Sequence, residues 1–149
     1  MKRAFAQKKV NVAFALVGLL GFVGSSSAFA TQSFSSIVAL GTTDGYTYQN
    51  VAGIDNTNLD AFSVMESTSG NAPAGYMGAD GRLYGPTSGL CEDGGWVYNN
   101  AATNQEEGHT TFGSYCGTGN YYSYGYTRAY NGNGYNTKGT DKSPYLPFP

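Results

Sequence analysis

The chain has 149 residues, enough for one domain, with 8 Lys+Arg against 10 Asp+Glu, 22 Gly, 13 Tyr and 2 Cys. All four charges in the first thirty residues are basic, so residues 31–149 carry 4 basic and 10 acidic side chains, a net charge of −6. Such a surface lacks the positive footprint that nucleic-acid binding requires, and an anionic membrane repels it.

Residues 1–30 read as a secretory signal. Lys2, Arg3, Lys8 and Lys9 form a basic start, and residues 10–23 are apolar apart from Asn11. Ala28-Phe29-Ala30 supplies a small-x-small cleavage site. The apolar run is shorter than the roughly 20 residues a spanning helix needs. The expectation is cleavage after Ala30 and one secreted, extracellular domain over 31–149.

That domain is poor in aliphatics: Leu, Ile, Val and Phe number 15 of its 119 residues. Its thirteen tyrosines supply the missing apolar area, provided that each buried hydroxyl finds a partner. Cys91 and Cys116 form the only possible pair in a chain read as secreted, which makes a disulfide the expectation. Its loop of about 26 residues is worth roughly 3–4 kcal/mol in the chain-entropy model.

In chain order, SFSSIVAL (33–40) reads as a first strand, ended by the turn residues 41–45, and YTYQNVAGI (46–54) as a second. NLDAFSVMES (58–67), with Leu59, Phe62, Val64 and Met65, is the best helical candidate. AGYMGADGRLYG (74–85) alternates: Tyr76, Gly78, Asp80, Arg82 and Tyr84 share one face, and Met77, Ala79, Gly81 and Leu83 the other. The turn at 86–89 returns the chain through LCEDGGWVYNN (90–100). AATNQEEGH (101–109) reads as a hydrophilic loop and TTFGSYCG (110–117) as a strand. NYYSYGYTRAYN (120–131) places Tyr122, Tyr124, Tyr126, Arg128 and Tyr130 on one face and small residues on the other. Asn131-Gly132-Asn133-Gly134 suits a tight turn, from which YNTKG pairs back. These elements predict an all-β fold with one disulfide: a small antiparallel β-sandwich or twisted barrel of six or seven short strands.

At Gly81 to Tyr84 (GRLY), Gly95 to Asn99 (GWVYN) and Tyr130 to Tyr135 (YNGNGY), the chain resembles a group of small secreted proteins of Gram-positive bacteria without assigned activity. The resemblance spans residues 74–137 and implies secretion and a common fold. The Tyr/Gly/Asn-rich composition is also similar to that of lactococcin-type bacteriocins, from which this chain departs in length and in its cysteine pair.

Catalytic signals are sparse. His109, with Glu106 and Glu107 nearby, offers a base and an orienter, against the plainer reading of a solvated loop histidine. One histidine and no free thiol argue against zinc. Asp80, Glu92, Asp93, Glu106 and Glu107 can meet in space as a glycoside-hydrolase carboxylate pair, though short strands build a cleft with difficulty. Asp55 to Asp60 (DNTNLD) offers oxygens for a loosely bound calcium, but has Ala61 and Ser67 where a helix–loop–helix calcium loop needs Gly and Glu; the plainer reading, and the favoured one, is an Asx-turn segment capping a short helix. No cofactor is otherwise expected.

The aromatic row carries the best functional signal. Trp96, Tyr98, Tyr122, Tyr124 and Tyr126 can form a platform on which sugar rings pack, with Arg128 placed to clamp an acidic sugar or carboxylate. The competing reading is that so large a face is the buried core. Three functions follow in order: a non-enzymatic secreted module for a glycan or cell-surface partner, a small toxin or bacteriocin, and a matrix protein assembling through strand edges.

Overall fold

The computed structural model describes residues 32–111, 113 and 116–149. The expected signal segment and its cleavage site lie outside these residues, as do Phe112, Ser114 and Tyr115. The strand expected over 110–117 is absent at the described residues of that stretch.

All regular structure among the described residues is β. The expected first strand is two, β1 (Gln32–Phe34) and β2 (Val38–Thr43). A turn at Asp44-Gly45, with φ of 46° and 83°, leads into β3 (Tyr46–Asp55). Both angles are left-handed, which is the twist a two-residue hairpin requires and the reason Asp-Gly serves there.

The best helical candidate, 58–67, holds instead β4 (Asp60–Ser67). It lies between β3 and a later strand, and seven of its eight residues are buried. A short apolar run covered on both faces carries no clean period, so pairing decides its conformation. Four strands follow: β5 (Met77–Asp80), β6 (Arg82–Tyr84), β7 (Leu90–Asp93) and β8 (Val97–Tyr98). The expected loop at 101–109 contains β9 (Gln105–His109), which pairs with β4 from Phe62↔His109 to Glu66↔Gln105. The chain ends with β10 (Gly119–Ser123), β11 (Tyr126–Tyr130), β12 (Tyr135–Gly139) and β13 (Leu146–Phe148).

These thirteen strands form three antiparallel sheets, not six or seven strands in a closed barrel. The first sheet has the order β1-β3-β4-β9, with β2 also on β3; the second is β13-β10-β6-β7 and the third β12-β11-β5-β8. The strand count is high because long strands break. Gly81 divides β5 from β6, and Tyr124-Gly125 divides β10 from β11. Register runs through the break without a shift, with Tyr126 opposite Asp80 and Tyr122 opposite Tyr84. The bonds Gly94 N→Gly81 O (2.9 Å), Tyr124 N→Arg82 O (3.2 Å) and Thr140 N→Gly125 O (3.0 Å) bridge it. The second and third sheets are therefore two lengths of one four-stranded surface, and its inner face meets the first sheet.

Two apolar clusters fill the interface. One joins Ile54, Leu59, Ala61, Leu83, Tyr121 and Leu146, and the other joins Tyr48, Met65, Ala72, Met77 and Ala129. A polar belt runs at the level of the strand breaks. Asn50 Nδ2 donates to Thr127 Oγ1 (2.8 Å) and Gly139 O (3.2 Å), and Ser123 Oγ donates to Phe62 O (3.1 Å). The Thr140 and Ser143 hydroxyls accept from the Gly125 and Ser123 amides, which lie where the ladder is interrupted.

Along one seam the sheets approach backbone to backbone. A Cβ on Gly81 would stand 2.8 Å from the Ala61 carbonyl oxygen, and one on Gly108 would stand 2.8 Å from the Asp80 nitrogen. The Cys91–Cys116 disulfide forms as expected, with Cα atoms 5.9 Å apart, and Cys91 packs on the first cluster. Beside it, the Tyr121 hydroxyl accepts from Cys116 N (2.9 Å) and donates to Gly117 O. Tyr48, the other fully buried tyrosine, has no hydroxyl partner among the described residues, and burial pushes its pKa up to about 12.

Candidate functional site

The alternation expected for 74–85 and 120–131 decides what the four-stranded surface shows on each side. Met77, Ala79, Leu83, Ser123, Thr127 and Ala129 face inward and are buried. Tyr124, Tyr126, Arg128 and Tyr130 face outward and are half-buried. The large face is thus the outer one at Tyr124, Tyr126 and Tyr130, against the competing reading that places it in the core, while at Tyr122 that reading holds. Small inner residues let the two layers approach closely, and the first sheet fills the gap with Tyr48, Ile54 and Met65.

The outer rings form two chains. Trp96 stacks on Tyr98 (6.3 Å between centroids, 28°), and Tyr98 meets Tyr135 at 5.2 Å. Tyr135 meets Tyr130 (5.8 Å) and Tyr130 meets Tyr76 (5.0 Å), which touches Tyr46 (5.9 Å) of β3, a ring packed on the second apolar cluster. The second chain runs from Tyr126 to Tyr124 (5.6 Å), Tyr84 (6.2 Å) and Tyr122, which stacks on Tyr84 at 5.0 Å and 11°. Tyr145 continues it, 5.1 Å from Tyr122. Such offset and edge contacts hold ring positions beyond what burial alone achieves.

Cations lie over these rings. Arg128 Cζ is 3.7 Å from the Trp96 ring centre, Arg82 Cζ 4.7 Å from Tyr126 and Lys142 Nζ 5.0 Å from Tyr122. Of the six residues singled out from sequence, Trp96, Tyr98 and Arg128 come into direct contact, since Arg128 Nη1 also donates to the Tyr98 hydroxyl (2.8 Å). Tyr98 reaches Arg128 across Gly78, where a Cβ would lie 2.8 Å from the Tyr98 ring. Tyr124 and Tyr126 belong to the second chain. Tyr122, only 3% exposed, lies beneath Tyr145 and Lys142 and offers no open ring face.

Tyr76, Tyr84, Tyr130, Tyr135 and Tyr145 extend the surface beyond the six residues named from the sequence. Tyr76 and Tyr84 were already on one face of 74–85. What the sequence lacked was the register that sets that face beside Arg128.

The carboxylates take separate places. Arg82 pairs with Asp80 Oδ2 (3.0 Å) and Asp93 Oδ2 (2.9 Å). Burial pushes the Asp80 carboxyl up in pKa and the neighbouring Asp93 adds to this, while Arg82 opposes it. Asp80 is fully buried under this pairing, so the two acids present no open cleft. Glu92 instead accepts from Thr111 N (3.0 Å).

His109 is a strand residue and not the solvated loop histidine expected. Its Nδ1 is 2.7 Å from the buried Asp60 and its Nε2 3.5 Å from Glu107, and its ring packs on Phe62. Hydrogen bonds to Asp60 first and Glu107 second raise its pKa to about 9. At neutral pH it is an imidazolium with both N–H groups facing carboxylates, a state that accepts no proton.

In the 55–60 loop, Asp55 Oδ1 accepts from Thr57 N (2.7 Å), the Asx-turn anticipated for it. Asp60 is taken by His109 and Thr110. No group of three or more metal-ligating side chains occurs among the described residues.

No protein-family model, curated protein or solved structure matches this chain.

Proposed function

We propose that the protein is a secreted, non-enzymatic binding module whose aromatic outer face takes an extracellular glycan or another cell-surface component. One observation carries the reading: Trp96, Tyr98 and Tyr135 form a partly exposed aromatic surface beside a fixed arginine. Sugar rings pack their apolar faces on such a surface, and hydroxyl and guanidinium groups at its edge orient them. Secretion draws support from the disulfide, which persists in oxidising compartments, and from the composition of residues 1–30. Among the described residues no helix is long and apolar enough to cross a membrane. A small antiparallel β-sandwich is the finer fold reading that accords with two facing layers, and the likeness to small secreted Gram-positive proteins belongs to the same proposal.

The test is co-sedimentation of the purified, oxidised protein with intact bacterial cells, peptidoglycan and insoluble polysaccharides, beside Trp96→Ala. Selective pelleting that the variant loses is the expected result. No pelleting with any of them would refute the reading.

A second reading, assembly through strand edges, draws on a separate feature. β2 and β12 lie at sheet edges and flank a cleft of about 390 Å³ lined by Leu40, Thr43 and Tyr135 to Lys138. Concentration-dependent fibres would favour it.

A further inference from the structure

Two arginines lie on the aromatic face, and their surroundings differ in kind. Arg82 is neutralised by two carboxylates. Arg128 has none within ion-pair distance among the described residues. Its Nε donates to Thr137 Oγ1 (3.1 Å), its Nη1 donates to the Tyr98 hydroxyl (2.8 Å), and its plane rests on Trp96. All three partners are neutral. Nη2 has no protein partner among the described residues, and Thr137 and Tyr135 beside it are exposed.

The result is a guanidinium fixed on three sides, keeping its full charge and one nitrogen's donors open. Ordinarily a protein cancels such a charge with a nearby acid, and this chain has ten to choose from. Asp55, Asp60, Glu66 and Glu107 all belong to the other layer. A long, flexible cation loses rotamer entropy when it binds, and one already held by stacking and two hydrogen bonds loses little. Arginine's planar fork matches an oxyanion with two acceptor oxygens.

We propose that Arg128 is an anion subsite, and that the glycan taken by this face is acidic, with a carboxylate or phosphate oxygen pair on the open Nη2 edge and a neighbouring sugar ring on Tyr98 and Tyr135. This rests on the glycan reading above and narrows it to one substrate class. The charge of −6 on residues 31–149 sharpens the claim, because a nonspecific contact with a polyanion is unfavourable for a domain of that charge.

The test compares polymers that differ only in charge: insoluble polygalacturonate with its methyl ester, and phosphocellulose with plain cellulose. Each is pelleted with the wild-type protein, Arg128→Gln, Arg128→Lys and Trp96→Ala. The expected result is a preference of about tenfold or more for one acidic polymer over its neutral partner, the scale of one charge-assisted hydrogen bond. Arg128→Gln removes the preference, and Arg128→Lys restores only part of it. The two acidic arms separate carboxylate from phosphate as the source.

Equal binding to acidic and neutral polymers, lost in Trp96→Ala, would overturn the anion subsite and leave the glycan reading standing. Binding to no polymer would overturn both. Should Arg128→Gln fail to fold, a salt titration of the wild type decides: the preference must shrink as ionic strength rises towards about 1 M, where the screening length is near 3 Å. A salt-independent preference would refute the role assigned to Arg128.

Discussion

Both outer faces of the protein lay an aromatic ring over a glycine. On the first sheet, the Phe62 ring covers Gly53. It is sealed between Phe34 (5.7 Å) and His109 (5.4 Å) and is only 6% exposed. On the four-stranded surface, Tyr98 covers Gly78 and stays partly open, its hydroxyl committed to Arg128. The neighbours differ as well. Phe62 has a histidine between two carboxylates beside it, and Tyr98 has an uncancelled cation. One local device therefore serves two ends. Closed over by apolar and ionic partners it holds a layer together; left open beside a charge it presents a surface.

The largest effect expected is that of removing the disulfide, which packs on the cluster shared by both layers. Cys91 lies in β7, and Cys116 lies outside the strands, three residues before β10. Removing the bridge by reduction or by Cys91→Ala/Cys116→Ala should cost roughly 3–4 kcal/mol, a fall in Tm on the order of 10 °C or more. A melting curve unmoved by reductant would remove the bridge from the account.

Next in size is a matched pair of methyl insertions. Gly53→Ala forces the enclosed Phe62 ring to move and should cost about 2 kcal/mol, the scale of overpacking a filled site, without altering ligand binding. Gly78→Ala should cost less, about 1 kcal/mol, because Tyr98 can swing towards solvent. That swing breaks its bond to Arg128, so binding should fall with little loss of Tm. Equal effects of the two on binding would dissolve the distinction between the faces.

Alkaline pH probes the closed face only. The folded-state pKa of His109 is raised to about 9, above the ordinary 6.5. Its contribution is thus fully present below about pH 6.5 and is lost as pH rises through 9. With 42% of its side chain exposed, the contribution is screened and amounts to about 1 kcal/mol. His109→Gln should flatten the stability profile between pH 6.5 and 9. An unchanged slope in the variant would show that another group titrates.

The smallest effect expected is that of Lys142→Ala, which removes one exposed cation from above Tyr122. It should change stability by no more than about 0.5–1 kcal/mol, as read from urea midpoints.

Much of this arrangement was legible in the residues. Asp44-Gly45 and Asn131 to Gly134 turn where their conformational tolerance predicts, the latter closed by Asn131 N→Gly134 O (3.0 Å). Alternation sorted 74–85 and 120–131 into the two faces seen. The misses share a cause, in that partners distant in sequence decide the outcome. β4 reads as helix until β3 and β9 cover it. Gln105 to His109 reads as loop because its polar side chains gain their partners, Asp60 among them, only from β4. The aromatic row reads as core because size is visible in a sequence and the gap between layers is not. That gap is narrow because Gly81, Gly108 and Ala79 line it.

The glycine seam bears on how this protein tolerates change. Where Gly81 and Gly108 meet the opposite backbone there is no volume for a single methyl, and what blocks it is main chain, which no repacking of side chains can move aside. Substitutions can accumulate on the aromatic face while the layers keep their spacing, whereas one alanine on the seam forces the two layers apart there. In a deep mutational scan, the sharpest line of intolerance should fall along residues with no side chain at all.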